Sequence, residues 1–207
     1  MPKDTFMNLN EEKREKVEKA MEKEFARATF EKASVSRIVK DAEIPRGSFY
    51  QYFEDKEDAI RYIVQKHISL EHKMIYELLL QTQGDIFDMA VLVFEKMTNE
   101  TKETDKRELY KNIMKEIKKN NIDIFDENLK FDDLEQVKSI IDKNNLNIQQ
   151  EDSLKYIMKI LVNITRSAVI EVIDNKVSIE QGKADLQEQL KILKRGMLKN
   201  QWKWQCV

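Results

Sequence analysis

Glycine and proline are scarce in this chain: 4 and 2 of 207 residues, where average usage would be about 7% and about 5%. Little turn or strand punctuation is left, so long helices are expected. The four glycines, Gly47, Gly84, Gly182 and Gly196, stand far apart, which excludes the clustered glycines of phosphate-cradling and dinucleotide-binding loops. The single cysteine, Cys206, leaves no intramolecular disulfide framework and suggests a reducing compartment. The two histidines, His67 and His72, are five apart on one predicted helix, not the three or four that would pair them on a metal. No nucleophile with a nearby base is visible. An enzyme is therefore not expected, and neither catalytic residues, a metal nor a cofactor is assigned. The first residues, MPKDTFMNLNEEKR, lack the apolar stretch of a signal peptide, and no run of about 18 apolar residues occurs. The expectation is a cytoplasmic protein with no membrane partner. A net charge of −2 does not favour nucleic acid, so any case for DNA must be local.

What the chain does have is a 41% hydrophobic content, enough for a core, arranged at helical spacing. Asn10 with Glu11 and Glu12 predicts a helix start, and Val17, Ala20, Met21, Phe25 and Ala28 form its stripe. Ser34 is placed to cap a short helix with the inward set Val35, Ile38, Val39 and Ala42. Glu43 and Ile44 form a turn, and Pro45 opens a third helix. Asp55 and Asp58 resemble a capping box ahead of a long fourth helix running to about Gln81, a length of about 40 Å. Gly84 and Asp85 break the pattern. Helices follow through Ile86–Met97, Leu109–Ile117, a shorter one near Leu134–Ile141, and the most apolar one over Asp152–Ile173. Its apolar residues cover more of the circumference than one core contact needs, which implies a second buried face. Ser178 and Gln181 form another box, and Ile179, Leu186, Leu190, Leu193 and Met197 give the last helix a heptad-like seam.

The stretch PRGSFYQYF, residues 45 to 53, is distinctive. At about 100° per residue, Phe49 and Phe53 share one side while Gly47 and Gln51 take the opposite one, flanked by Ser48 and Tyr50. Two short helices joined by a tight turn, the second with a small polar outer side, suit a helix-turn-helix: the second helix enters the major groove and the first braces it. A glycine at position 47 lets the backbone approach phosphates. From Lys32 to Phe53 the basic residues Lys32, Arg37, Lys40 and Arg46 outnumber Asp41 and Glu43, a local charge of +2.

Residues 25 to 60, FARATFEKASVSRIVKDAEIPRGSFYQYFEDKEDAI, resemble the N-terminal DNA-binding domain of the TetR/AcrR family of bacterial transcriptional regulators. Phe25, Ser34, Val35, Ile38, Ala42, Gly47, Phe49, Tyr50, Tyr52, Phe53 and Lys56 carry the likeness, which covers about the first third of the chain. Thr29 and Glu43 depart from it, at turn positions where glycine is usual. The resemblance implies that Ser34 and Lys56 contact phosphate and that Tyr50 and Tyr52 reach phosphates or thymine methyls. Arg46, Ser48 and Gln51 are then the residues nearest base edges, in keeping with Arg reading guanine and Gln reading adenine.

The combined expectation is an all-α protein: a helix-turn-helix domain over residues 8–54 and a helical dimerisation and ligand-sensing domain over 55–200. It would be a sequence-specific repressor, binding double-stranded palindromic operator DNA as a homodimer through its last two helices and released by a small-molecule effector. Met89, Phe94, Met97, Tyr110, Met114, Phe125 and Phe131 are the candidates for lining the effector pocket, since methionine-rich walls adapt to varied apolar ligands. Arg166 could meet an acidic ligand, Glu171 or a partner chain. The alternative is an all-helical protein-interaction module that never touches DNA.

Overall fold

The computed structural model describes residues 2–122, 139–143, 146 and 153–197. The short helix expected near Leu134–Ile141 falls largely outside these residues, as do Phe125, Phe131 and Cys206. Among the described residues the chain is helical, with no strand: α1 Asp4–Met7, α2 Glu11–Arg27, α3 Val35–Asp41, α4 Arg46–Tyr52, α5 Lys56–Gln81, α6 Ile86–Glu100, α7 Thr104–Lys119, α8 Ser153–Ile173 and α9 Ile179–Met197. None of these helices is long and apolar enough to cross a membrane.

Helix boundaries follow the expected chemistry at most ends. Asn10 Oδ1 accepts the Lys13 amide at 2.9 Å, satisfying one of the orphan N–H groups that open α2. Asp55 accepts the Asp58 amide at 2.6 Å, and the Asp58 carboxylate reaches back to the Glu54 amide at 3.3 Å, a box displaced by one residue. Ser178 accepts the Gln181 amide at 3.1 Å, but the Gln181 side chain turns to Asp185 and leaves that box half closed. Gly84 breaks the chain between α5 and α6 at φ 85°, and a Cβ there would stand 2.3 Å from the Ile140 carbonyl oxygen. No other residue type fits. Ser34 occupies the N-cap position of α3 without a side-chain cap bond. This differs from its expected capping role, because its place is fixed by its own amide, which donates to Glu24 Oε1 at 2.8 Å.

Packing divides the chain into two compact units, Met1–Leu70 with Thr101–Asp123, and Glu71–Glu100 with Ile124–Val207. In the first, α2 packs against α3 and α7, and α3 against α4. Asn112 of α7 is buried and donates to the Phe25 carbonyl at 2.7 Å and the Ala28 carbonyl at 3.4 Å, closing the end of α2. The core holds Val17, Met21, Phe25, Ile38, Phe49, Phe53 and Ile63, all fully enclosed. A polar cluster joins α2 to the first part of α5: Tyr62 donates to Glu18, and Lys66 Nζ donates to Glu18 at 2.8 Å and Glu22 at 2.9 Å. Burial alone would raise the Glu22 carboxyl, but His67 and Lys66 outweigh it and pull it down to about 2.

In the second unit α8 packs against α6 and α9, and α9 against α6. Phe94, Leu161, Val169 and Leu186 are completely buried there. Gly182 marks the closest approach of α9, since a Cβ would come within 2.7 Å of Val172 Cγ2 and 3.3 Å of the Phe94 ring.

Candidate nucleic-acid interface

The segment Val35–Tyr52 forms two seven-residue helices joined by a tight turn. Glu43 makes that turn at φ 53°, in the left-handed region that favours glycine. Its carboxylate pairs with Lys16 Nζ at 2.5 Å, and this lysine holds it below the usual carboxylate range. The charge at position 43 is thus matched from α2. Thr29, the other departure, has φ −57° and ψ 153°, which any residue adopts.

The two faces of α4 separate as the helical spacing requires. Phe49 and Phe53 are fully buried, their rings 5.4 Å apart. Arg46, Gly47, Tyr50 and Gln51 are exposed, and Ser48 is half-buried. Nothing lies within 4 Å of where a Cβ on Gly47 would stand. Glycine in a helix costs about 1 kcal/mol relative to alanine, and no neighbour within the chain requires it here. Arg46 Nη1 donates to Ser36 Oγ at 2.6 Å, and its guanidinium lies 5.8 Å from the Tyr50 ring centroid. Arg46 thereby spans from α4 to α3 on the outer face. Ser36 and Arg37, both exposed on α3, extend that face. Sequence reasoning did not single them out as site residues, although their polar positions opposite Ile38 and Val39 were the available signal. Lys56 Nζ donates to the Glu31 carbonyl at 2.8 Å, and Ser34 is half-buried beside the start of α3.

Tyr52 does not share this outer face. It is only 5% exposed, with its ring 5.7 Å from that of Phe6. The reason is α1, which packs against the end of α4 and covers the side on which Tyr52 stands. The expected effector residues are divided as well. Met89, Phe94 and Met97 are buried in α6 within the second unit, Tyr110 and Met114 lie on α7 within the first, and Phe125 is outside the described residues. Met89 does line a cavity in the second unit, together with Ile75, Ala90, Val93, Leu161, Val162 and Thr165, but its volume is only about 10 Å³, room for a single water. Arg166, at its edge, has its carboxylate partner on another helix. It forms a bidentate pair with Glu71, at 3.1 Å and 2.5 Å, with both side chains largely buried.

On the last two helices the apolar surplus is only partly used. Leu186 and Leu190 of the α9 seam are buried against α6 and α8. Left outside are Tyr156 and Ile160 of α8, 60% and 40% exposed, and Ile192 of α9, 69% exposed.

Residues 19–63 match the model for bacterial regulatory proteins of the tetR family. Residues 85–197, more than half of the chain, match the model for the tetracyclin repressor-like C-terminal domain. The chain belongs to the TetR family. This TetR-family protein is 32% identical over 66 residues to the HTH-type transcriptional repressor NemR of Escherichia coli (strain K12), a stretch that is 32% of this chain and 33% of that one. The match thus spans about a third of the curated relative. The fold agrees with that of a TetR family transcriptional regulator from Chloroflexus aurantiacus J-10-FL, at 21% identity, covering 97% of this chain and all of that one, with a TM-score of 0.50. It also agrees with the transcriptional regulator FadR from Bacillus subtilis in complex with stearoyl-CoA, at 16% identity, covering 85% of this chain and 96% of that one, with a TM-score of 0.54. The family so matched is one of bacterial regulatory proteins.

Proposed function

We propose that this TetR-family protein is a cytoplasmic, non-enzymatic repressor that binds a palindromic operator as a homodimer and leaves it when a small-molecule effector binds. The observation that carries the reading is Gly47: a glycine on the exposed side of α4 with open space around it. Helix propensity disfavours it and the chain's own packing does not ask for it, so its use is to let another body approach the backbone. Arg46, Tyr50, Gln51 and Ser48 surround it with the donors, acceptors and ring that a major groove takes, and Ser34 and Lys56 stand ready for phosphates.

Homodimerisation is supported by Tyr156, Ile160 and Ile192, which form apolar surface on two helices whose other faces already fill the second unit. Pairing with a second copy buries them and sets two α4 helices about a twofold axis, which is why the operator is read as palindromic. The effector reading rests on the cavity beside Met89. An apolar ligand must widen a space that now takes one water, and it shifts the protein only by its differential affinity for the two states. FadR, a structural relative of low identity, was solved with stearoyl-CoA, and long apolar acyl compounds are accordingly a reasonable first set to screen.

Selection of duplexes from a random-sequence pool, followed by gel shifts over a salt series, tests the function. A selected palindromic site, bound with affinity that falls as salt rises, is the expected result. Replacing Gly47 by Leu or Tyr50 by Ala should abolish that binding and leave the dimer intact. Failure to select any duplex would overturn the reading and favour a helical protein-interaction module.

A further inference from the structure

The recognition helix α4 is only seven residues long, too short to hold its own conformation. Its last carbonyls would be orphaned at a free C-terminus. The Phe49 carbonyl is taken by the Phe53 amide at 2.8 Å, and the next three are taken by residues that precede α2. Lys3 Nζ donates to the Tyr50 carbonyl at 2.9 Å, the Thr5 hydroxyl donates to the Gln51 carbonyl, and the Lys3 amide donates to the Tyr52 carbonyl at 2.8 Å. The lysine also places a positive charge at the negative end of the α4 dipole. Lys3 stands directly before α1 and Thr5 within it, and the same helix drives Phe6, fully buried, into an aromatic cluster. Its ring is 4.8 Å from that of Phe53 and 5.2 Å, edge to face, from that of Tyr62 on α5.

We propose that Lys3, Thr5 and Phe6 form a strap that positions α4 for sequence readout, with Lys3 and Thr5 as positioning residues that fasten the C-terminal turn of the recognition helix rather than contact DNA. Tyr50 and Gln51, whose carbonyls the strap holds, carry exposed side chains on the face assigned to the duplex. Loosening the strap lets that turn fray, and the cost falls on readout, which needs a fixed side-chain geometry, more than on the general attraction to phosphate. The inference rests on reading α4 as the DNA-contacting helix.

The test uses the full chain and the site it selects from random duplexes. In Lys3→Met/Thr5→Val both side-chain donors are gone, yet both positions are exposed and the core is untouched. Affinity for the selected site should fall about tenfold, what two modest hydrogen bonds carry, while affinity for random duplex, the salt slope, the dimer and the thermal midpoint stay as they were. Phe6→Ala should lose more, and Phe6→Leu should recover much of it. Should Phe6→Ala fail to fold, the exposed double variant decides alone. Unchanged affinity of that variant for the selected site would overturn the strap. So would an equal loss on selected and random duplex with a salt slope smaller by about one, since that marks Lys3 as a phosphate contact. A parent protein that selects no site would instead remove the proposed function, and this inference with it.

Discussion

Arg166 on α8 grips Glu71 on α5 through two parallel hydrogen bonds, in a setting whose other walls are mainly apolar. Ninety-five residues separate them, so the pair fastens distant parts of the chain within one unit. A buried ion pair is expensive to break from one side and cheap to replace whole. Arg166→Ala should destabilise the protein by about 3–5 kcal/mol, because it strands the carboxylate of Glu71, whereas Arg166→Met/Glu71→Leu should be near neutral or stabilising. Urea denaturation of the two variants measures both.

Glu43 gives an opposite case. Its φ of 53° strains a side-chain-bearing residue, and its ion pair with Lys16 is exposed, where such pairs contribute little. Glu43→Gly should raise stability by about 0.5–1 kcal/mol, as relief of a left-handed strain outweighs the added backbone freedom. A higher urea midpoint at unchanged slope is the expected signature.

Gly182 stands where α9 comes closest to Val172 and Phe94. Gly182→Ala should cost about 1–3 kcal/mol, since the added methyl must push a short branched side chain aside in a packed core. Differential scanning calorimetry would read the loss as a lower melting temperature.

The Glu22 carboxyl, held at about 2 against an ordinary 4.5, ties stability to pH. A depressed carboxylate stabilises the folded state fully above its unfolded value and loses that share as pH falls toward its folded value. Stability should therefore decline between pH 4.5 and 2, by an amount on the order of 2–3 kcal/mol from this group. Glu22→Gln should flatten that part of the pH profile.

Ile192 and Tyr156 are the most exposed large apolar side chains on the last two helices. Tyr156→Glu/Ile192→Glu should give a monomer in sedimentation experiments while leaving the helical content unchanged, because neither residue supports the core of its own chain.

Much of this architecture was legible from spacing alone. The α2 stripe, the opposed faces of α4 and the long run of α5 come from local periodicity, which acts within a few turns and so can be read within a few turns. What could not be read depended on contacts across the sequence. A four-residue helix such as α1 has no period to detect, and without Phe6 in view Tyr52 reads as an outward residue like Tyr50. Along the sequence Glu171, five residues on, was the acid in view for Arg166, whereas Glu71, which it pairs with, stands on another helix. The α9 seam was legible as apolar but not as already occupied, since Leu186 and Leu190 are covered by α6 and α8. The effector candidates share a composition and not a place: those among the described residues are split between α6 and α7, which belong to different units.

Asn112 adds a practical consequence for anyone wishing to dissect the molecule. The polypeptide leaves the first unit after Leu70, returns at Thr101 to lay α7 along α2, and departs again after Asp123. A fragment cut after the helix-turn-helix would lose the helix that seals Phe25 and caps Ala28, exposing apolar surface and two unsatisfied carbonyls at once. Grafting this head onto a foreign sensor body therefore calls for two junctions beyond residue 70, with α7 carried along as an inserted piece.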